Sequence, residues 1–206
     1  SASGWNLGWG FNVPTQDFVD HFEAGDPRKA STILFAGQSD DPSTGGYGSV
    51  LPQALPSGIL DNPYYNKKVY SDPAMRQYTG WIDGAYWINQ RVYRYADVLL
   101  MAAECLNEAG GATNGAQAAN YVNQVRGRVG LAGITYTDQA TMRDAIKNER
   151  RSELGLEGER FFDLVRWGDA LAKLGPQGYT NRCRYYPIPL PAIDRSNNTL
   201  VQNPEW

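Results

Sequence analysis

The stretch Arg94–Gly111, RYADVLLMAAECLNEAGG, decides the reading of the fold. Arg94, Asp97, Glu104 and Glu108 fall at helical spacing and draw one narrow polar stripe, and nearly everything between them is apolar. A helix patterned this way wants cover over most of its circumference. Gly110 and Gly111 then stop it. Cys105 lies inside the apolar part, where a small buried thiol is expected.

Downstream the helical pattern continues. Ala118, Tyr121, Val122, Val125 and Val129 repeat every three or four residues and predict a second helix over 116–128. The short connection makes the two helices an antiparallel pair. A third helix is predicted from about Thr141 to Leu154, with Thr141 and Asp144 resembling a capping box. After Gly155 and Gly158, a fourth helical segment over 160–174 carries Phe161, Phe162, Leu164, Val165, Trp167 and Leu171. Two successive helical hairpins have a tetratricopeptide-like look, although their offset exceeds that repeat's period of roughly 34 residues. The tail, YYPIPLPAIDRSNNTLVQNPEW, has prolines at positions 187, 189 and 191 and cannot form a long helix.

Upstream of residue 90 the organisation changes. Asp26-Pro27, Asp41-Pro42, Gly45-Gly46, Asn62-Pro63 and Asp72-Pro73 crowd that region with turn signals. One short helix is predicted over 15–22, capped by Thr15, with Phe18, Val19 and Phe22 on one face. Short strands are predicted over 32–35 and 67–70, and the rest reads as long loops. The chain therefore divides into a loop-rich region, 1–90, and a helical scaffold with an extended tail, 91–206. The fold class is mainly α, built of helical hairpins, with few short strands.

Composition narrows the function classes. A net charge of −3 gives no general basic footprint for nucleic acid, and acidic residues interleave with the cluster Arg150, Arg151, Arg160 and Arg166. No run approaches the roughly 18 apolar residues of a membrane-spanning helix. Two cysteines are too few for a disulfide scaffold or a zinc site. A single histidine, His21, removes most triad and histidine–metal schemes and is expected on the polar side of its short helix. No cofactor motif is present, and the aspartates of the loops fit no calcium loop. The aromatic content stands out: six Trp and thirteen Tyr, many of them in the first 90 residues.

Five segments together resemble a known family. RYADVLLMAAECLNEAGG, NYVNQVRGRVGL, NERRSELGLEGERFFDLVRWGDAL and the tail are similar to the carboxy-terminal half of SusD/RagB proteins, and GWGFNVPTQDFVDHFEAGDPRKASTIL resembles an earlier segment of the same families. The resemblance implies a lipoprotein on the outer membrane of Bacteroidetes, facing the cell exterior beside a SusC-like, TonB-dependent transporter. Such a protein would hold an oligosaccharide, or in RagB-like members a peptide, before import. Family members are more than twice this length, so the resemblance also implies a partner in the amino-terminal half, which would carry the lipid anchor.

A sugar ring offers an apolar C–H face and a rim of hydroxyls, so its site needs flat aromatic platforms beside amides and carboxylates. Trp5, Asn6 and Trp9 form one such set. Tyr64 and Tyr65 form a second, and Trp81, Tyr86 and Trp87 a third. The structural alternative for each is that it plugs its own loop onto the core. Glu149 and Glu153, four residues apart on the face defined by Met142, Ala145 and Ile146, suggest instead the carboxylate pair of a glycoside hydrolase. The simpler reading is a buried ion-pair network of Glu149 and Glu153 with Arg150, Arg151, Arg160 and Arg166, and in the family this segment is a fold hallmark. The sequence thus favours a non-enzymatic glycan-binding protein, with hydrolysis or peptide binding as alternatives.

Overall fold

Thr15 opens the first helix. Its hydroxyl accepts from the Phe18 amide, and α1 (Gln16–Val19) turns Phe18 and Val19 inward. The computed structural model describes residues 11–51, 63–72, 88–197 and 199–206. Helix α2 (Arg28–Thr32) runs directly into strand β1 (Ile33–Phe35), which pairs antiparallel with β2 (Tyr64–Asn66), Ile33 opposite Asn66 and Phe35 opposite Tyr64. The predicted strand over 67–70 is instead a 3₁₀ turn, Lys67–Val69. The cause is local: the Asn66 side chain accepts from the Lys68 amide and bends the chain out of the sheet.

Helix α3 (Tyr95–Ala109) packs on α4 (Ala112–Arg128) and α5 (Gln139–Leu154), and α4 also meets α5. Their shared core holds Leu99, Leu100 and Ala103 of α3, Ala118, Val122 and Val125 of α4, and Met142 and Ile146 of α5. Two smaller clusters lie under the loops, one around Phe18, Phe22 and Ile33, the other around Leu34, Leu51, Tyr65 and Tyr70. The start of α5 differs from expectation. Asp138, not Thr141, is its cap, and accepts from the Thr141 amide at 2.9 Å. Cys105 is exposed and reduced, contrary to the buried thiol expected. It lines up with Val98 and Met101 at helical spacing on a face of α3 that is exposed, whereas Leu100, Ala103 and Asn107 point into the core.

By its contacts the chain forms two compact units, Ser1–Gly158 and Glu159–Trp206, although composition changes near residue 90. The second unit contains α6 (Arg160–Arg166), α7 (Ala170–Leu174) and α8 (Leu190–Arg195). The single helical segment predicted over 160–174 is broken by Gly168, whose φ of 78° no helix continues through. With eight α-helices and one two-stranded sheet among the described residues, the fold is mainly α.

Candidate functional site

Glu149 and Glu153 are one turn apart on α5 and each is 3% exposed. Two like charges at that spacing repel unless cations are supplied. The cations come from other elements. Arg28 of α2 donates to Glu149 at 2.5 Å and to Glu153 at 3.2 Å, while its Nε and Nη2 hold Asp26. Arg126, near the end of α4, donates to Glu149 at 3.1 Å and bridges to Glu23. Arg94, the residue before α3, donates to Glu153 at 2.8 Å and to Glu157 at 2.7 Å, and Arg128 contacts both oxygens of Glu153. Lys68 Nζ closes the ring on Glu157 at 2.6 Å.

Electrostatics follow from this geometry. Burial would raise the Glu153 carboxyl, but Arg94, Arg128 and Arg28 outweigh it and hold the group below the usual carboxylate range. Glu157 is lowered in the same way, burial being outweighed by Arg94 and Lys68. Burial lowers the Arg28 guanidinium, yet Asp26 and Glu149 raise it above its ordinary value on balance. Each oxygen of the Glu149–Glu153 pair thus accepts from at least one guanidinium.

Of the arginines predicted to neutralise the pair, Arg150, Arg151 and Arg166 hold other carboxylates. Arg150 donates to buried Asp97 of α3 at 2.7 Å, because successive residues of a helix point about 100° apart. Arg151 pairs with Asp17 and lies over the Phe18 ring. Arg166 pairs with Asp163 within α6. Sequence reasoning missed Arg28, Arg94, Arg126 and Arg128 as the partners. Arg28 lies 121 residues from Glu149 along the chain, so no spacing rule links them.

Of the predicted aromatic platforms, Trp5, Asn6, Trp9, Trp81, Tyr86 and Trp87 lie outside the described residues. Tyr65 is 6% exposed among Leu34, Leu51 and Tyr70, so it anchors the core instead of offering a face to a sugar. Tyr64 is half-buried, packed edge-on to Phe35, with its hydroxyl donating to Gln16 at 2.6 Å. His21 shares its ring with a backbone partner, the carbonyl of Asn148 at 3.1 Å.

Beside the carboxylates lies a cavity of about 390 Å³. It is bounded by α2, the Lys67–Val69 turn, the approach to α3 and the C-terminal ends of α4 and α5. Its wall carries Arg28, Lys67, Lys68, Arg91, Arg94 and Arg128 against two carboxylates, Glu153 and Glu157. Among the described residues no cluster of metal-ligating side chains accompanies it.

The chain is similar to known proteins. A model of the SusD family matches residues 1–182. SusD-like protein P25 of Formosa agariphila is 32% identical over 94% of this chain and 34% of its own length. SusD-like protein P2 of the same organism is 28% identical over 97% of the chain and 41% of its length. The chain therefore spans about two fifths or less of these curated relatives. Among solved structures, a laminarin-binding SusD-like protein is 30% identical with a TM-score of 0.64, over 93% of this chain and 38% of its own. Surface glycan-binding protein A of Bacteroides thetaiotaomicron, solved in complex with laminarihexaose, is 25% identical with a TM-score of 0.63 and is matched over 92% of this chain and 40% of its own.

Proposed function

The chain belongs to the SusD family, and from that premise we propose that it captures oligosaccharide at a bacterial cell surface without transforming it. The captured glycan passes to a TonB-dependent, SusC-like transporter of the outer membrane. The observation that carries this reading is the likeness over more than nine tenths of the chain to proteins solved as laminarin- and laminarihexaose-binding. The state of Glu149 and Glu153 supports a non-catalytic role. A glycosidase needs one carboxyl that holds a proton and another with a free oxygen facing the sugar. Here arginine holds both groups, and Glu153 is pushed towards the ionised form.

In this reading the sugar rings stack on Trp5, Trp9, Trp81, Tyr86 and Trp87, with Asn6 serving the hydroxyl rim. Calorimetric titration with laminarihexaose and a panel of neutral and acidic glycans tests it, with reducing ends assayed in the same samples. Binding without release of reducing ends, weakened by Trp5→Ala, Trp9→Ala or Trp81→Ala, is the expected result. Release of reducing ends would overturn the non-catalytic assignment, and silence towards every glycan would overturn capture by this chain.

A further inference from the structure

Resting on that glycan-capture reading and narrowing its ligand class, we propose that the 390 Å³ cavity receives the carboxylate or sulfate group of an acidic oligosaccharide. Its wall holds hydrogen-bond donors that the fold does not use. Lys67 is 7% exposed, and its ammonium spends two donors, on the Ala30 carbonyl and the Thr44 hydroxyl, both at 2.9 Å. An ammonium has three. Among the described residues no carboxylate lies within ion-pair distance of it. Arg91 is exposed at the same cavity with no ion pair or hydrogen bond among the described residues. Arg128 gives only Nη2 to Glu153, so Nε and Nη1 stay open on a side chain that is 57% exposed.

The other charges on the wall do not cancel this surplus. Glu157 is held by Arg94 and Lys68, and the one charge of Glu153 is shared among Arg28, Arg94 and Arg128. Asp40 and Asp41 face Lys67 without an ion-pair contact, and burial still pushes its ammonium below the ordinary value. A buried ammonium with no carboxylate in ion-pair contact keeps part of its desolvation cost, which an incoming oxyanion would offset. Guanidinium groups suit such a ligand because they grip carboxylate or sulfate through paired N–H bonds. The volume exceeds what a bare ion needs and falls in the range of small-molecule sites, roughly 300–1,000 Å³. The Ser31 hydroxyl at the wall gives its proton to the Pro27 carbonyl and keeps its lone pairs to accept from a sugar hydroxyl attached to the anion.

The test is calorimetry of the whole chain with tetragalacturonate, laminarihexaose and sodium sulfate. Tetragalacturonate is expected to bind, with an affinity that falls as salt rises to roughly 0.3 M. Arg91→Ala and Lys67→Met should each weaken it about tenfold, a loss of about 1.4 kcal/mol, while leaving laminarihexaose unaffected. Arg91 is exposed, so its variant keeps the test valid if Lys67→Met fails to fold. Laminarihexaose binding without tetragalacturonate or sulfate would sink the anion pocket and leave capture standing. Sulfate binding that depends on Arg91, with no glycan bound, would keep the pocket and sink capture. Tetragalacturonate binding indifferent to Arg91 and Lys67 would overturn the pocket, and no binding at all would overturn both.

Discussion

Glu153 accepts from three guanidinium groups while buried to 3% exposure, and this fixes what its loss should do. Glu153→Gln leaves Arg28, Arg94 and Arg128 around a neutral group. Breaking a buried pair from one side costs about 3–5 kcal/mol, because the surviving charges stay desolvated. Glu108→Gln is the control: its pair with Arg143, at 2.6 Å, is largely in water, and such pairs are worth about 0–1 kcal/mol. Urea denaturation should separate the two variants clearly, and equal shifts would contradict the network. Acid should act through the same groups. The carboxyls of Glu153 and Glu157 are lowered in the folded state, so the unfolded chain binds protons more readily. Their stabilisation is full above the ordinary carboxylate value of roughly 4.3 and is lost as pH falls through the lower folded values. The melting temperature should therefore drop steeply below about pH 4.5, and Glu157→Gln should flatten that drop in a pH series. At this scale the sequence was half legible. The four-residue spacing of Glu149 and Glu153 put both on the buried face, but their partners came from loops and helices whose proximity only the folded chain creates.

Helices follow the same division between pattern and detail. The existence of α3, α4 and α5 was legible because each repeats apolar residues with the helical period, and the core they share contains the residues that carry the pattern. Their ends depend on single side chains. Asp138 binds the Thr141 amide, and the Thr141 hydroxyl in turn donates to Asp138 at 2.7 Å. Asp138→Ala should cost about 1 kcal/mol, whereas Thr141→Ala keeps the amide bond and should cost less. Thermal melts of the two variants check this, and a larger loss at Thr141 would return the cap to that residue. Glycines were read alike and act differently. Gly158, with φ of 103° in the turn after α5, takes a backbone conformation that other residues rarely adopt. Gly155 has an ordinary φ of −53°, but a methyl there would run into the Phe18 ring, so its smallness lets α1 approach the end of α5. A sequence prints the same letter for both reasons.

Across the whole molecule, composition and packing draw their boundaries in different places. Composition changes near residue 90 because loops and helices use different residues. Packing ignores that line: Arg28 and Lys68 from the loop-rich region hold Glu149 and Glu153 of α5 and Glu157 just after it, so residues on both sides of the line, up to Gly158, belong to one unit. The second unit, from Glu159, is built on a smaller core. Among its described residues Leu164 and Ala170 are the buried apolar ones, against three hydrophobic clusters in the first unit. So few buried side chains can offset little of the entropy lost in ordering a chain of that length. Local opening should therefore come at lower free energy in α6 and α7 than in α3, α4 and α5. Hydrogen–deuterium exchange of the whole chain reads this directly. Amides of α6 and α7 are expected to exchange on the order of a hundredfold faster than those around Leu100, Val122 and Ile146. Equal protection throughout would mean that the two units open together, and that burial within each unit does not set its stability.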